Sequence, residues 1–262
     1  MSNSLSAFGE RTLTYFQNRF LLRSAILLRR WNIAYVRVPK AANSSIKQAL
    51  YHLVTRGAVT DPAFCDYVAV PGLNQDRTWR RGLGPDVTMV SCARLAADAP
   101  DALAFTVVRN PFARVVSAYY DKVVLRDRRM RSLEAVGITR GMSFPAFVER
   151  LAEVGDDVID IHLMSQARLL DAGGRPVPAI VGRVESLDDD WDRIRAAILA
   201  RGGPQLGALG HTLVRTLDKR PPVAAFYDDV PRLADLVLAR YRADFDLFYP
   251  DRAMPGSEDA AG

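Results

Sequence analysis

Twice in this chain a short apolar run of strand character passes through one basic residue into a helix start. That repeated junction restricts the fold more than any other feature. The first is Ile33 to Val38, followed by Pro39-Lys40-Ala41-Ala42-Asn43-Ser44-Ser45; the second is Leu103 to Val108, followed by Arg109-Asn110-Pro111. Val87 to Val90 and Ala179 to Val184 are further runs of the same apolar, β-branched type. Helical patterns lie between or after them, over 44–55, 111–126, 143–154, 187–200 and 230–241. Strands alternating with helices build parallel βαβ units with helices on both faces, so the expected class is α/β with a mainly parallel central sheet. Ligands of such sheets bind at the carboxyl ends of strands, where Lys40 and Arg109 both stand.

Composition narrows this only a little. With 262 residues, 49% of them apolar and 25% charged, the chain has material for one large core. A net charge of +5 fits an anionic ligand, an anionic glycan, a membrane surface or nucleic acid. Nucleic-acid binding would call for clustered basic residues with exposed aromatics, and here the basic residues are scattered, so none is expected. The densest group, Arg126, Arg128, Arg129 and Arg131, either receives an anionic acceptor or faces solvent. Cys65 and Cys92 make neither a disulfide framework nor a zinc site, and no cluster of metal ligands is evident.

Residues 20–30 are apolar but broken by charge, too short to span a bilayer. They read as a helix packed on the domain, or as a basic amphipathic helix giving peripheral membrane contact through residues 11–31. The expected organisation is an N-terminal helical segment (1–32), one domain (33–250) and a disordered tail (251–262), in a cytoplasmic protein.

The first junction has the chemistry of a phosphate cradle. Pro39 ends the strand, and the small side chains of Ala41 and Ala42 let backbone N–H groups approach a ligand. Asn43, Ser44 and Ser45 are helix N-cap types, and a helix start offers N–H donors and a positive dipole end beside the Lys40 ammonium. A plain N-cap with a solvated lysine fits the same residues. A Walker A loop does not, because the Gly-rich pattern is absent and Lys40 precedes the turn. At the second junction Pro111 suits a first helical position, Arg109 offers a fork for a phosphate monoester, and Ser117 adds a hydroxyl two turns on.

Together, P-K-A-A-N-S-S-I after one strand and V-V-R-N-P-F-A-R-V-V-S-A-Y-Y after another resemble the carbohydrate sulfotransferase family. That family includes the chondroitin 4-O-sulfotransferases and is related to the heparan 2-O-sulfotransferases. The resemblance continues through Asp160-Ile161-His162, through Gly182-Arg183-Val184-Glu185-Ser186-Leu187 and through Tyr241-Arg242-Ala243-Asp244-Phe245. Ser44 stands where the family often has Thr, and the cysteines of secreted animal members are missing, as suits a bacterial-type soluble member.

The resemblance implies a P-loop-like three-layer fold and 3′-phosphoadenosine 5′-phosphosulfate (PAPS) as sulfate donor, with no metal. It implies that Lys40, Ala41, Ala42, Asn43, Ser44 and Ser45 hold the 5′-phosphosulfate, and that Arg109 and Ser117 hold the 3′-phosphate. The acceptor would be a hydroxyl of a carbohydrate or glycolipid. Of the three histidines, His162 falls in the matching segment and is the candidate general base; a packed or surface histidine is the alternative. Lys40 is the other catalytic candidate. Glu185 is expected to support the site by ordering local backbone or the 3′-phosphate arginine. His211, Thr212 and Arg215 are further candidates for donor contact. Tyr241, Asp244, Phe245 and Phe248 have helical spacing and read as core. Two rivals remain at this point: a kinase or nucleotide-binding protein of P-loop type, and a sulfotransferase acting on a non-carbohydrate hydroxyl.

Overall fold

A computed structural model describes residues 24–64, 70–127, 129–174, 177–210 and 221–255. They form two units, one of residues 24–108 and 170–210, the other of residues 109–169 and 221–255. The chain passes from the first to the second after Val108 and returns after Leu169.

The first unit is built on a five-stranded sheet: β1 (Ala25–Leu28), β2 (Ile33–Val36), β3 (Val87–Val90), β4 (Leu103–Val108) and β5 (Ile180–Arg183), in the order β3-β1-β2-β4-β5. β2 pairs parallel with β4 (Tyr35 opposite Phe105) and β4 parallel with β5 (Val108 opposite Arg183). β1 is antiparallel to both β2 and β3, so it alone is reversed. The helices of this unit are α1 (Asn43–Arg56), α2 (Asp76–Arg81), α3 (Cys92–Asp98) and α8 (Leu187–Ala200). This is the α/β class, with a mixed sheet whose core is parallel and which helices flank.

β1 corrects one expectation. Ala25, Ile26, Leu27 and Leu28 form a wholly buried strand where a helix was expected. A short apolar run has no periodicity to separate a buried strand from a buried helix; its neighbours decide. Here the 3₁₀ turn Arg29–Trp31 and the left-handed Asn32 (φ 51°) return the chain sharply to β2, and β1 fills the sheet between two partners.

The core of this unit includes Ile26, Tyr35, Ile46, Leu50, Trp79, Phe105, Val107, Trp191 and Ile194. Tyr35 stacks on Phe105 at 5.4 Å and Phe105 meets the edge of Trp191 at 6.0 Å. The indole N–H groups are satisfied: Trp79 donates to Leu73 O (2.7 Å) and Trp191 to Gly207 O (2.9 Å). Each large apolar side chain buried this way contributes about 2–3 kcal/mol.

The second unit is helical: α4 (Pro111–Tyr119) running into a π-turn (Tyr120–Val124), α5 (Arg131–Glu134), α6 (Phe144–Ala152), α7 (Gln166–Leu170), α9 (Arg232–Arg240) and α10 (Arg242–Phe248). Its core is aromatic. Phe112 meets Tyr227 at 5.3 Å and Phe245 at 5.2 Å, and Phe144 meets Phe226 and Tyr227. Tyr241, Asp244, Phe245 and Phe248 are all buried, the core positions that their spacing indicates. Residues 251–255 belong to this unit and are tied to it, since Asn110 Nδ2 donates to Ala253 O (2.8 Å) and Arg252 pairs with Asp246 (2.6 Å). The expected disordered tail therefore does not begin at 251; residues 256–262 lie outside the described residues.

Candidate active site

The loop after β2 is wound by two residues in the left-handed region, Lys40 (φ 70°) and Ala42 (φ 49°). Neither is glycine, and each such residue costs on the order of 1 kcal/mol. Between them Ala41 is fully buried. Ala42 is the N-cap of α1 and provides no side-chain cap hydrogen bond. Left-handed residues beside helical backbone are the kind of winding from which backbone N–H nests are built, and this loop leads into the positive end of a 14-residue helix.

This corrects the expectation that Asn43, Ser44 and Ser45 serve as caps. Asn43 is already the first helical residue, and its Oδ1 accepts the Tyr35 hydroxyl (3.3 Å). Ser44 exchanges hydrogen bonds of 3.0 and 3.2 Å with the Asn74 side chain. Both side chains thus fasten the loop to its surroundings. Ser45 lines a cleft beside α1 together with Gln48, His52, Phe64 and Gly207. His52 is held there by Arg56 (3.0 Å) and by the edge of Phe64.

One turn into α1 lies Lys47, almost wholly buried. Its ammonium sits 5.9 Å from the Trp79 ring centroid, near the Arg37–Asp76 ion pair (2.7 Å). Burial, reinforced by Arg37 and opposed by Asp76, lowers its pKa to about 7. Nothing in the sequence marked this lysine, because only the fold buries it.

In the second unit, Arg109 is half-buried and its backbone is clamped. Its N–H donates to Gln166 Oε1 (2.9 Å) and its C=O accepts from Gln166 Nε2 (2.8 Å). Asn110 caps α4 through the Phe112 N–H (3.0 Å), and Pro111 follows at the first helical position. Ser117 is half-buried two turns along α4.

His162 is 31% exposed at its side chain, open enough to meet a ligand. Asp160 Oδ1 lies 2.6 Å from its Nδ1 and also accepts the His162 backbone N–H at 3.0 Å. Burial alone would push the Asp160 carboxyl up. Hydrogen bonds from His162 and the charges of His162 and Lys122 outweigh it and hold the group well below the usual carboxylate range. An ionised carboxylate at Nδ1 favours the tautomer protonated there and leaves Nε2 as a proton acceptor. The resemblance through this segment is the sequence signal for the histidine.

Glu185 is the acid expected to support the site. It is exposed, in the 3₁₀ turn Val184–Ser186 that follows β5. Asp190, one turn into α8, orders this backbone. It accepts from the Arg183 N–H (2.8 Å) and the Ser186 hydroxyl (2.7 Å) and pairs with Arg193 (2.6 Å).

Of the basic surface group, Arg129 forms a double contact with Glu134, and Arg128 lies outside the described residues. Cys92 is buried and meets Ser24 Oγ at 3.2 Å. His211, Thr212 and Arg215 lie outside the described residues, as do Cys65 and residues 11–23 of the suggested membrane-contacting segment. Among the described residues no three His, Cys, Asp or Glu side chains are grouped to hold a metal ion, and no helix is long and apolar enough to cross a membrane.

The loop after β2 and the arginine junction after β4 each follow the carboxyl end of a strand. The model of the sulfotransferase family matches residues 23–250, so the chain belongs to that family and is a transferase of sulfuryl groups. The match begins before β1, which places the reversed strand inside the family domain. No curated protein and no solved structure matches the chain.

Proposed function

We propose that this enzyme takes the sulfuryl group of PAPS and passes it to a hydroxyl of a carbohydrate or glycolipid. The observation that carries the reading is the loop from Pro39 to Ser45. It has two left-handed residues, a helix start with no side-chain cap, and a lysine, within a chain that belongs to the sulfotransferase family. Such a loop suits the 5′-phosphosulfate. The motif from Arg109 to Ser117 is assigned the 3′-phosphate by its resemblance and by the chemistry of an arginine fork with a hydroxyl.

When bound, the donor supplies the sulfuryl group. The acceptor oxygen forms a bond to sulfur as the bond from sulfur to the phosphate oxygen breaks. Lys40 and the N–H groups at the start of α1 offset the charge that grows on the leaving phosphate, where electrostatic assistance is worth most. His162 takes the acceptor's hydroxyl proton on Nε2, and Asp160 holds the ring and offsets the charge it gains. The acceptor class rests on the resemblance to carbohydrate sulfotransferases, and the reading includes a cytoplasmic location.

Two measurements test this. Thermal shift should show stabilisation by 3′,5′-adenosine bisphosphate and none by ATP with magnesium; the reverse would favour a nucleotide kinase. Labelled sulfate transfer from PAPS into glycans, glycolipids and phenols should label the first two; label in phenols alone would overturn the acceptor class.

A further inference from the structure

The clamp on Arg109 has a second layer. Gln166 is fully buried, and its amide meets both the N–H and the C=O of Arg109, as a neighbouring strand would. Arg109 is the first residue after β4, where the sheet's own hydrogen bonds stop. Gln166 is in turn fixed by Asp244 on α10. The two carboxylate oxygens of Asp244 accept the backbone N–H groups of Gln166 (2.9 Å) and Ala167 (2.7 Å). Asp244 is itself fully buried. Burial pushes its carboxyl up, while Arg114 and those two N–H donors oppose that. Arg114 is anchored beside them by donating to Met164 O (2.7 Å).

We infer that Gln166, seated by Asp244, is a positioning residue that aims the Arg109 guanidinium at the 3′-phosphate of the donor. The inference rests on the reading of Arg109 as a 3′-phosphate ligand. Two hydrogen bonds to one residue's backbone restrain its φ and ψ, and a long side chain is directed only as well as the backbone that launches it. A core glutamine kept only for stability would hold no such relation to one nucleotide phosphate.

The test compares affinity for 3′,5′-adenosine bisphosphate with affinity for adenosine 5′-monophosphate, by calorimetry on the full chain. Their ratio isolates the 3′-phosphate. Gln166→Leu should lower the ratio roughly tenfold, the loss expected when about one charged contact is misdirected. Arg109→Ala should lower it further, and adding Gln166→Leu to Arg109→Ala should leave it unchanged. If Gln166→Leu does not fold, Gln166→Glu keeps the acceptor for the Arg109 N–H, loses the donor to its C=O, and should also lower the ratio. An unchanged ratio in a folded Gln166 variant, or equal losses for both nucleotides, overturns the inference. An unchanged ratio in Arg109→Ala instead overturns the assignment of Arg109.

Discussion

Asp160 Oδ1 receives both the ring Nδ1 of His162, at 2.6 Å, and that residue's own backbone N–H, at 3.0 Å. One carboxylate oxygen therefore fixes the imidazole and the chain that carries it. His162→Ala should cut sulfuryl transfer by about 10²–10⁴-fold while 3′,5′-adenosine bisphosphate still binds. Asp160→Asn should lower turnover less and move the acid limb of the rate profile to lower pH, because the carboxylate that stabilises the protonated ring is gone. Steady-state rates from pH 5 to 9 check both. Lost nucleotide binding in His162→Ala would make the histidine structural.

Lys40→Ala separates charge from fold. The half-buried ammonium is assigned to the leaving phosphate, so turnover should fall by about 10²–10³-fold. The unfolding free energy should change by less than about 1 kcal/mol, since the side chain is outside the core. Labelled sulfate transfer and urea unfolding give the two readings, and near-normal transfer would remove Lys40 from the mechanism.

Ala42 is strained at φ 49°. Ala42→Gly relieves about 1 kcal/mol of steric cost and loses a similar amount to the entropy of the unfolded chain. Its stability should match the parent's within about 0.5 kcal/mol. Ala42→Val should cost about 2 kcal/mol and weaken donor binding, because a branched side chain resists the left-handed conformation. Urea midpoints and calorimetric titration with 3′,5′-adenosine bisphosphate measure these effects. Equal donor affinity in all three proteins would show that the loop's winding does not matter to the ligand.

Lys47 makes stability depend on pH in a stated direction. Its pKa is about 7 when folded and near 10.5 when unfolded. Between those values the unfolded chain holds a proton that the native one lacks, so stability rises with pH across that window. Below about pH 7 both states are protonated, and the cost of burying the charge is fully present. Lys47→Met should flatten this rise and be more stable at pH 6 by ~1 kcal/mol or more. Unfolding midpoints from pH 6 to 10 decide it; a parallel pair of curves would mean that Lys47 finds compensation as a cation.

Much of this was legible along the chain. The runs ending at Val38 and Val108 are each bounded by a proline-containing turn and pass into a helix start, so the α/β class and the residues at the strand ends follow from local pattern. The segment Asp160-Ile161-His162 singled out the histidine by its resemblance, and the fold added the contact of Asp160 with its ring. β1 was not legible, because four apolar residues carry no period and take their conformation from the strands on either side. The winding at Ala42 was hidden because alanine does not advertise a positive φ as glycine does.

What only the tertiary structure decided are the long-range polar contacts. Gln166 reaches Arg109 across 57 residues, Asp244 reaches Gln166 across 78, and Asn74 reaches Ser44 across 30. Apolar periodicity is written locally, since each residue reports its own burial. A buried hydrogen bond depends on two distant residues meeting in a dry interior, so neither alone reveals it. The sequence by itself determined the class of fold and the strand-end residues assigned to the donor; the interior decided how those residues are held.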